Sequence, residues 1–575
     1  MRYGLAVALL VVGVLSAPVH AQVLYGTILG TVRDSTGAVV PNATVAITNQ
    51  QTNQTRTDTT NDVGLYNFPN VLQGLYKMEV TAAGFQPFAQ TSIQVTINTV
   101  SRVDVELRVG QISETLTVSA AAAVLQTDKS DVHVDLAARE VTTLPLPAYR
   151  NYQSLINLVP GATPAAFQNA INDTPARSLF TNINGTARNS NNTRVDGALN
   201  KYNIISSHTL YVPPAESIET VNISTNAFDS EQGMTGGAAI TVMTKSGTNE
   251  LHGTAFAYHD DQKLRAKNFF FRDPRKPKSI VNIDGGTAGG PLRKDKLFYF
   301  LSWEGTFERI NRSGLYTVPT ADQRRGDFSA FNTAVYDPAT GTPDGRGRAQ
   351  FANNLLPASR HSAITRKMQD LIPLPNQSGA TANFFASGTQ VLNRHNGDVK
   401  INWNRTNSHS IWGKYSVMKA LVNCSFALGA AGGPGLCDGG PESSDTLVQV
   451  GTIGHTWTLS PHFLVDGTVG YSRLGLGAVA ADYGQNFGLN VLGIPGTNGP
   501  DIRQSGMPIF IISGYSTLGS PDAWAPVFRT DATYTHSTNV NWTKSSHDMR
   551  FGFDVIRFHQ NDWQPNITGG PASRL

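Results

Sequence analysis

Three places in this sequence carry residue types that could do chemistry. His259-Asp260-Asp261 sets an imidazole beside two carboxylates, which could ligate a metal ion. Gly285-Gly286-Thr287-Ala288-Gly289-Gly290 could wrap backbone N–H groups around a phosphate. Cys424 and Cys437 flank a glycine-rich stretch. Each has a plainer reading. The His-Asp-Asp run suits solvated polar residues at a strand end. A phosphate loop must open a helix, whereas the glycine run lies between strand-like segments, so a turn of a β-structure is expected there. Two cysteines without C-x-x-C spacing make neither a disulfide scaffold nor a zinc site. A loop disulfide is expected for them, with two free thiols as the alternative. The sequence holds no GxxxxGK[ST], HExxH or GxSxG pattern, and its scattered carboxylates single out no acid–base pair. The expectation is a protein that is not an enzyme, with no cofactor and no metal.

The bulk properties agree with a non-catalytic β protein. The chain has 575 residues, enough for several domains. Charged residues make up 15% and the net charge is +3, without a long basic run, so no nucleic-acid partner is expected. Glycine is abundant, with 54 residues, and favours turns and strands over helices. Residues 1–21 read as a signal peptide: Arg2, an apolar run from Leu5 to Leu15, and Val19-His20-Ala21 as the cleavage site. No later stretch offers the ~20 consecutive apolar residues of a membrane helix. Outside the cytoplasm such a chain is either soluble or closed into a barrel.

Residues 22–110 alternate in short runs, Ile28–Val32, Ala43–Ile47, Tyr76–Val80, Ile93–Ile97 and Val103–Leu107, with turn residues between them. This predicts a small β-sandwich. Gly30-Thr31-Val32-Arg33-Asp34, Asn61-Asp62-Val63-Gly64-Leu65-Tyr66 and Gly84-Phe85 resemble the carboxypeptidase regulatory-like domain, which implies a carbohydrate-binding-like fold without catalytic residues. Fold alone does not license sugar binding.

Residues 111–127 form a β-prone run followed by alanines. Glu114, Thr115, Leu116, Thr117 and Val118 resemble a TonB box, which implies a periplasmic energy-coupling protein of the TonB type as partner, gripping the segment by strand addition. The alternative is a last sandwich strand followed by a linker.

Residues 128–248 mix helical spacing at Tyr152, Leu155, Ile156 and Val159 with turn-rich sequence. The order Leu158 to Gly161, Asn184-Gly185, Asp196-Gly197, Ile218 to Val221, Gly236-Gly237, and Thr244-Lys245-Ser246-Gly247-Thr248-Asn249 before His252-Gly253 resembles the plug of TonB-dependent receptors of the Oar-like group. Ala187 departs from it by lengthening the spacing between Gly185 and Arg188.

From 249 to 575, polar and apolar residues alternate as transmembrane strands do. Val399, Ile401 and Trp403 alternate with Lys400, Asn402 and Asn404; Phe463 to Tyr471 and Met549 to Val555 repeat the pattern. Tyr299, Trp303, Trp403, Trp412, Tyr415 and Trp457 are candidate interface aromatics facing outer-membrane lipid. Residues 317–392 read as a long loop, with Ile364, Met368, Leu371 and Ile372 on one helix face. The expected fold is therefore mainly β: a small N-terminal sandwich in the periplasm, a mixed α/β plug, and part of a transmembrane antiparallel barrel. The resemblance implies about 22 strands and roughly 500 residues of barrel, so the barrel is expected to be C-terminally incomplete. It also implies import of a scarce solute, a siderophore, oligosaccharide or peptide, by plug rearrangement. A structural or adhesion barrel without transport is the alternative.

Overall fold

The computed structural model describes residues 24–564, apart from 111–115, 120–128, 168, 229–231, 268, 270–275, 332, 439–442, 520–524 and 545–546. The signal segment, Glu114 and Thr115 lie outside the described residues.

The front unit is a two-sheet sandwich. One sheet holds β4 (Leu65–Val71), β1 (Gly26–Asp34) and β7 (Val100–Arg102), with β8 (Val105–Leu107) also on β1. The other runs β3 (Thr55–Thr59), β2 (Thr44–Asn49), β5 (Gly74–Thr81), β6 (Phe88–Val95) and β9 (Leu116–Ser119). Alternate residues point to one face of a strand. Ile28 and Val32, Val45 and Ile47, and Tyr76, Met78 and Val80 thus meet in one buried core with Tyr66 and Phe68.

The second unit, called the plug here after its expected role, carries a five-stranded sheet in the order β10 (Val132–Ala137), β13 (Ile218–Asn226), β14 (Ala239–Thr244), β11 (Asn192–Val195) and β12 (Ala198–Leu199). The helical spacing at Tyr152 becomes a 3-10 helix, Tyr152–Leu158. The Asn151 side chain starts it by accepting from the Gln153 N–H at 2.9 Å.

The third unit is one antiparallel sheet of nine strands in chain order: β15 (His252–Asp261), β16 (Ser279–Arg293), β17 (Leu297–Tyr316), β18 (Phe384–Thr406), β19 (His409–Asn423), β20 (Ser443–Ser460), β21 (Phe463–Val479), β22 (Val527–Lys544) and β23 (His547–Trp563). The sheet is not closed: among the described residues β15 pairs only with β16, and β23 only with β22. The short connections 294–296, 407–408 and 461–462 gather at one end, and the described parts of the long ones, within 262–278, 317–383, 424–442 and 480–526, at the other. Lys400 and Ser472 are buried toward the plug and Asp466 toward the front sandwich, while Val399, Val469, Phe551 and Val555 on the alternate face are exposed.

Three expectations need correction. The glycine run 285–290 is not a turn; it lies within β16, with 285–289 paired on both sides and Gly290 with Tyr299 of β17. Its small residues admit neighbours: a Cβ on Gly285 would lie 2.5 Å from the Trp303 carbonyl oxygen. The long loop ends at 383, because 384–392 pair with the far part of β17, from Tyr316↔Phe384 to Glu308↔Leu392, and so belong to β18. Trp412 is not an interface aromatic. Its register opposite Asn402 and Gly454 turns it inward, where it is 5% exposed against Tyr25 and Met243, whereas Trp303, Trp403, Tyr415 and Trp457 do face outward. The helix Ala363–Leu371 forms as expected. Its Met368 joins Val318, Leu428, Leu492 and Met507 in a small core shared by three of the long loops.

Candidate functional site: the coupling segment and the plug–barrel junction

The described part of the box-like segment, Leu116, Thr117 and Val118, lies in β9, parallel to the edge of β6. The register is Phe88↔Leu116, Ala89↔Thr117, Gln90↔Val118 and Thr91↔Ser119. On its other side the register of β6 with β5 shifts between Gln90 and Ile93, where Ser92 sits at φ 60.

The plug motif residues converge on the barrel wall. Asp196 and Gly197 are the two central residues of the β11–β12 hairpin, at φ 43 and φ 91. A two-residue loop with both φ positive matches strand twist, and an Asp-Gly pair supplies it at low strain. The turn aims the Asp196 carboxylate at the inner wall. It accepts from Lys400 Nζ at 2.8 Å and Thr244 Oγ1 at 2.7 Å, and Lys414 Nζ lies 3.0 Å away. Burial alone would raise the carboxyl, but Lys400 and Lys414 outweigh it and hold it down at about 2. Lys400 also donates to the Thr244 carbonyl at 2.9 Å. Beside this centre, Asp398 accepts from Tyr211 at 3.0 Å and Ser416 at 2.6 Å.

The rest of the motif leads out of the plug. Gly236 and Gly237 N–H groups donate to the Ser190 carbonyl at 2.9 and 3.2 Å. Lys245 N–H donates to Ser217 at 2.8 Å, and Ser246 follows it, half-buried. Gly247 passes so close to β16 and β17 that a Cβ would lie 2.3 Å from the Tyr299 carbonyl oxygen and 2.7 Å from that of Gly290. Thr248 Oγ1 donates to the Glu250 carbonyl at 3.0 Å. Asn249 clamps the 294–296 connection through two bonds with Asp295, of 2.7 and 2.8 Å, and its N–H reaches Gln51 of the front sandwich at 2.9 Å. Further contacts seat the sandwich at this end of the sheet. Asn70 bonds Asp466 at 2.5 Å and accepts from Asn541 at 2.9 Å, and Gln54 donates to Ser410 at 2.8 Å. A cavity of about 650 Å3 remains between the three units, bounded by Gln51, Met243, Thr248, Asn404 and Trp412.

At the other end, Cys424 and Cys437 are bonded, with Cα atoms 5.7 Å apart. The next residue, Asp438, lies 3.4 Å from Arg177 of the plug. Arg177 makes two bonds to Glu308 of β17, at 3.1 and 2.9 Å, and Tyr149 donates to the same carboxylate. His259 and Asp261 are spent locally, on Asn282 at 2.6 Å and on the Lys263 N–H at 2.8 Å. No metal-holding cluster occurs among the described residues.

Sequence reasoning missed Lys400, Lys414, Arg177 and Glu308 as junction residues. One signal was present for Lys400: a lysine on the inward face of a strand must find a carboxylate if it is covered. Its partner lies 204 residues away, so spacing could not name it.

Residues 243–573 match the family described as outer membrane beta barrel domain, and 27–108 match the carboxypeptidase regulatory-like domain. The chain belongs to the outer-membrane β-barrel family. Among curated proteins it is similar to the TonB-dependent transporter Oar of Myxococcus xanthus, 28% identical over 320 residues, which is 51% of this chain and 29% of that protein. The chain thus matches under a third of that relative's length. Solved structures similar to it include a mutant of the ferric enterobactin receptor of Pseudomonas aeruginosa, 12% identical, TM-score 0.39, covering 73% of this chain and 48% of the receptor. The outer-membrane transporter YddB of Escherichia coli is 12% identical, with TM-score 0.44, covering 74% and 48%.

Proposed function

We propose that the chain acts as a TonB-dependent outer-membrane receptor, a transporter and not an enzyme, that imports a scarce solute by rearranging its plug. The observation that carries this reading is the junction at Asp196. The plug is held to the wall through buried ion pairs and hydrogen bonds that a modest displacement can exchange for water or for other partners. Solute, whether siderophore, oligosaccharide or peptide, lands on the long loops and the plug surface beneath them. A periplasmic TonB-type protein adds a strand to the segment 114–118 and pulls. Short connections face the periplasm in such barrels, which supports a periplasmic position for the front sandwich.

The test is uptake driven by the proton gradient in cells carrying this gene, intact or as Leu116→Pro, supplied with pooled siderophores, glycans and peptides. Proline removes a backbone donor and blocks strand addition. Uptake of some solute that Leu116→Pro abolishes at equal surface level supports the reading. Equal uptake by the variant sinks energy coupling through this segment. A structural or adhesion barrel is the second reading. The core shared by the long loops favours it, because it presents a fixed outer surface. It predicts no energy-dependent uptake but a loss of surface assembly when those loops are deleted.

A further inference from the structure

We propose that the edge of β6 is a docking edge for the coupling segment, so that the front sandwich and the periplasmic partner compete for the same strand. This rests on the reading of 114–118 as that segment.

Without β9, β6 would be the outer strand of its sheet, with a row of unpaired N–H and C=O groups. Leu116–Ser119 covers that row in parallel register. The pairing is parallel, the weaker kind per residue. A cover of this kind is reversible.

The load path decides whether it must open. Covalently, a pull on 116–119 reaches the plug through the chain leading to Lys129 and β10. While β9 stays on β6, the pull is delivered first to the sandwich. The sandwich is itself fastened to the barrel wall, by Asn70 on Asp466, by Gln54 on Ser410 and by the Gln51 carbonyl on Asn249. Force would then run from strand to sandwich to barrel and bypass the plug. Work on the plug requires that β9 first leave β6. The sandwich is therefore a latch: it holds the segment when no partner is engaged and yields it when the partner pairs with the same backbone groups.

The test places cysteines at one register pair, Gln90→Cys with Val118→Cys, in the otherwise intact chain in detergent, oxidised with copper–phenanthroline. Binding of the periplasmic domain of a TonB-type protein is followed by biolayer interferometry. Each single-cysteine variant and the unaltered chain, with and without reductant, control for the native Cys424–Cys437 bond. The oxidised double variant should bind at least tenfold more weakly than either single variant, and reductant should restore it. If the oxidised form binds as tightly as the single variants, the partner adds to the outer edge of β9 and the latch is wrong, although the coupling segment stands. If no form binds, or if Leu116→Pro leaves binding unchanged, the coupling segment itself is misassigned and the latch falls with it.

Discussion

Replacing Asp196 by Asn keeps the side-chain shape and the tolerance for positive φ, but removes the charge facing Lys400 and Lys414. Breaking a buried pair from one side leaves an uncompensated ion, at a cost of ~3–5 kcal/mol. Asp196→Asn should lower the melting temperature of the plug-seated state and open the plug to protease. Adding Lys400→Met should recover part of the loss. The same group sets an acid limit. Its folded value of about 2 lies below the ordinary 3.8, so its stabilisation is complete above about pH 4 and is lost as pH falls toward 2. His208 has its own window. Burial, followed by the nearby Arg188, presses its imidazole down to about 4 from 6.5. Between those values the unfolded chain binds the proton and the folded chain does not, so stability declines as pH falls from 6.5 to 4 and then levels off. His208→Gln should flatten that part of a denaturation-versus-pH curve while leaving the Asp196 window in place.

Strands and turns bring these residues within reach of one another. Gly247 lets the chain leave β14 and run against β16 and β17 at backbone distance. Gly247→Ala puts a methyl into the Tyr299 carbonyl, where no flexible side chain can give way, and should cost ~1–3 kcal/mol as an overpacked contact. A limited-proteolysis midpoint that does not move would show that this crossing is loose. The outward strand faces obey a different rule. Ile453 is 66% exposed and alternates with buried Thr452. Ile453→Arg should destabilise the sheet in a bilayer by up to ~2–4 kcal/mol, and by little in a polar detergent micelle. Equal stability in both would mean that this face does not meet lipid.

Across the whole molecule, three units are tied by polar contacts at both ends of the sheet. At the long-loop end the Cys424–Cys437 bond closes a loop whose neighbour Asp438 reaches Arg177. A cross-link over such a short span contributes ~3 kcal/mol in the chain-entropy model. Cys424→Ser with Cys437→Ser should therefore speed proteolysis within 424–437, while the 294–296 end stays as resistant as before. At that opposite end Asn249 joins sandwich, plug exit and barrel. Asn249→Ala removes both side-chain bonds to Asp295 and keeps the backbone bond to Gln51, so hydrogen exchange should quicken at Asp295, whose N–H loses its acceptor, while 49–54 and the plug core hold.

The mainly β architecture, the sandwich core and the inward or outward facing of Val399, Lys400, Asp466 and Val469 were legible in the sequence. They follow from a period-2 alternation that any strand with one covered face must show. Asp196-Gly197 was legible as a motif, and its turn follows from the residue types. The pairing of Asp196 with Lys400 and Lys414, the convergence of Tyr149 and Arg177 on Glu308, and the seating of Leu116–Ser119 on β6 were decided by tertiary structure. Trp412 shows why. Its aromatic character suits either lipid or core, and only the strand register opposite Asn402 and Gly454 chooses. Alternation is a local property that a single strand reveals. Contact between inward faces depends on which strands are brought opposite one another, and that is settled only when the plug is packed against the wall.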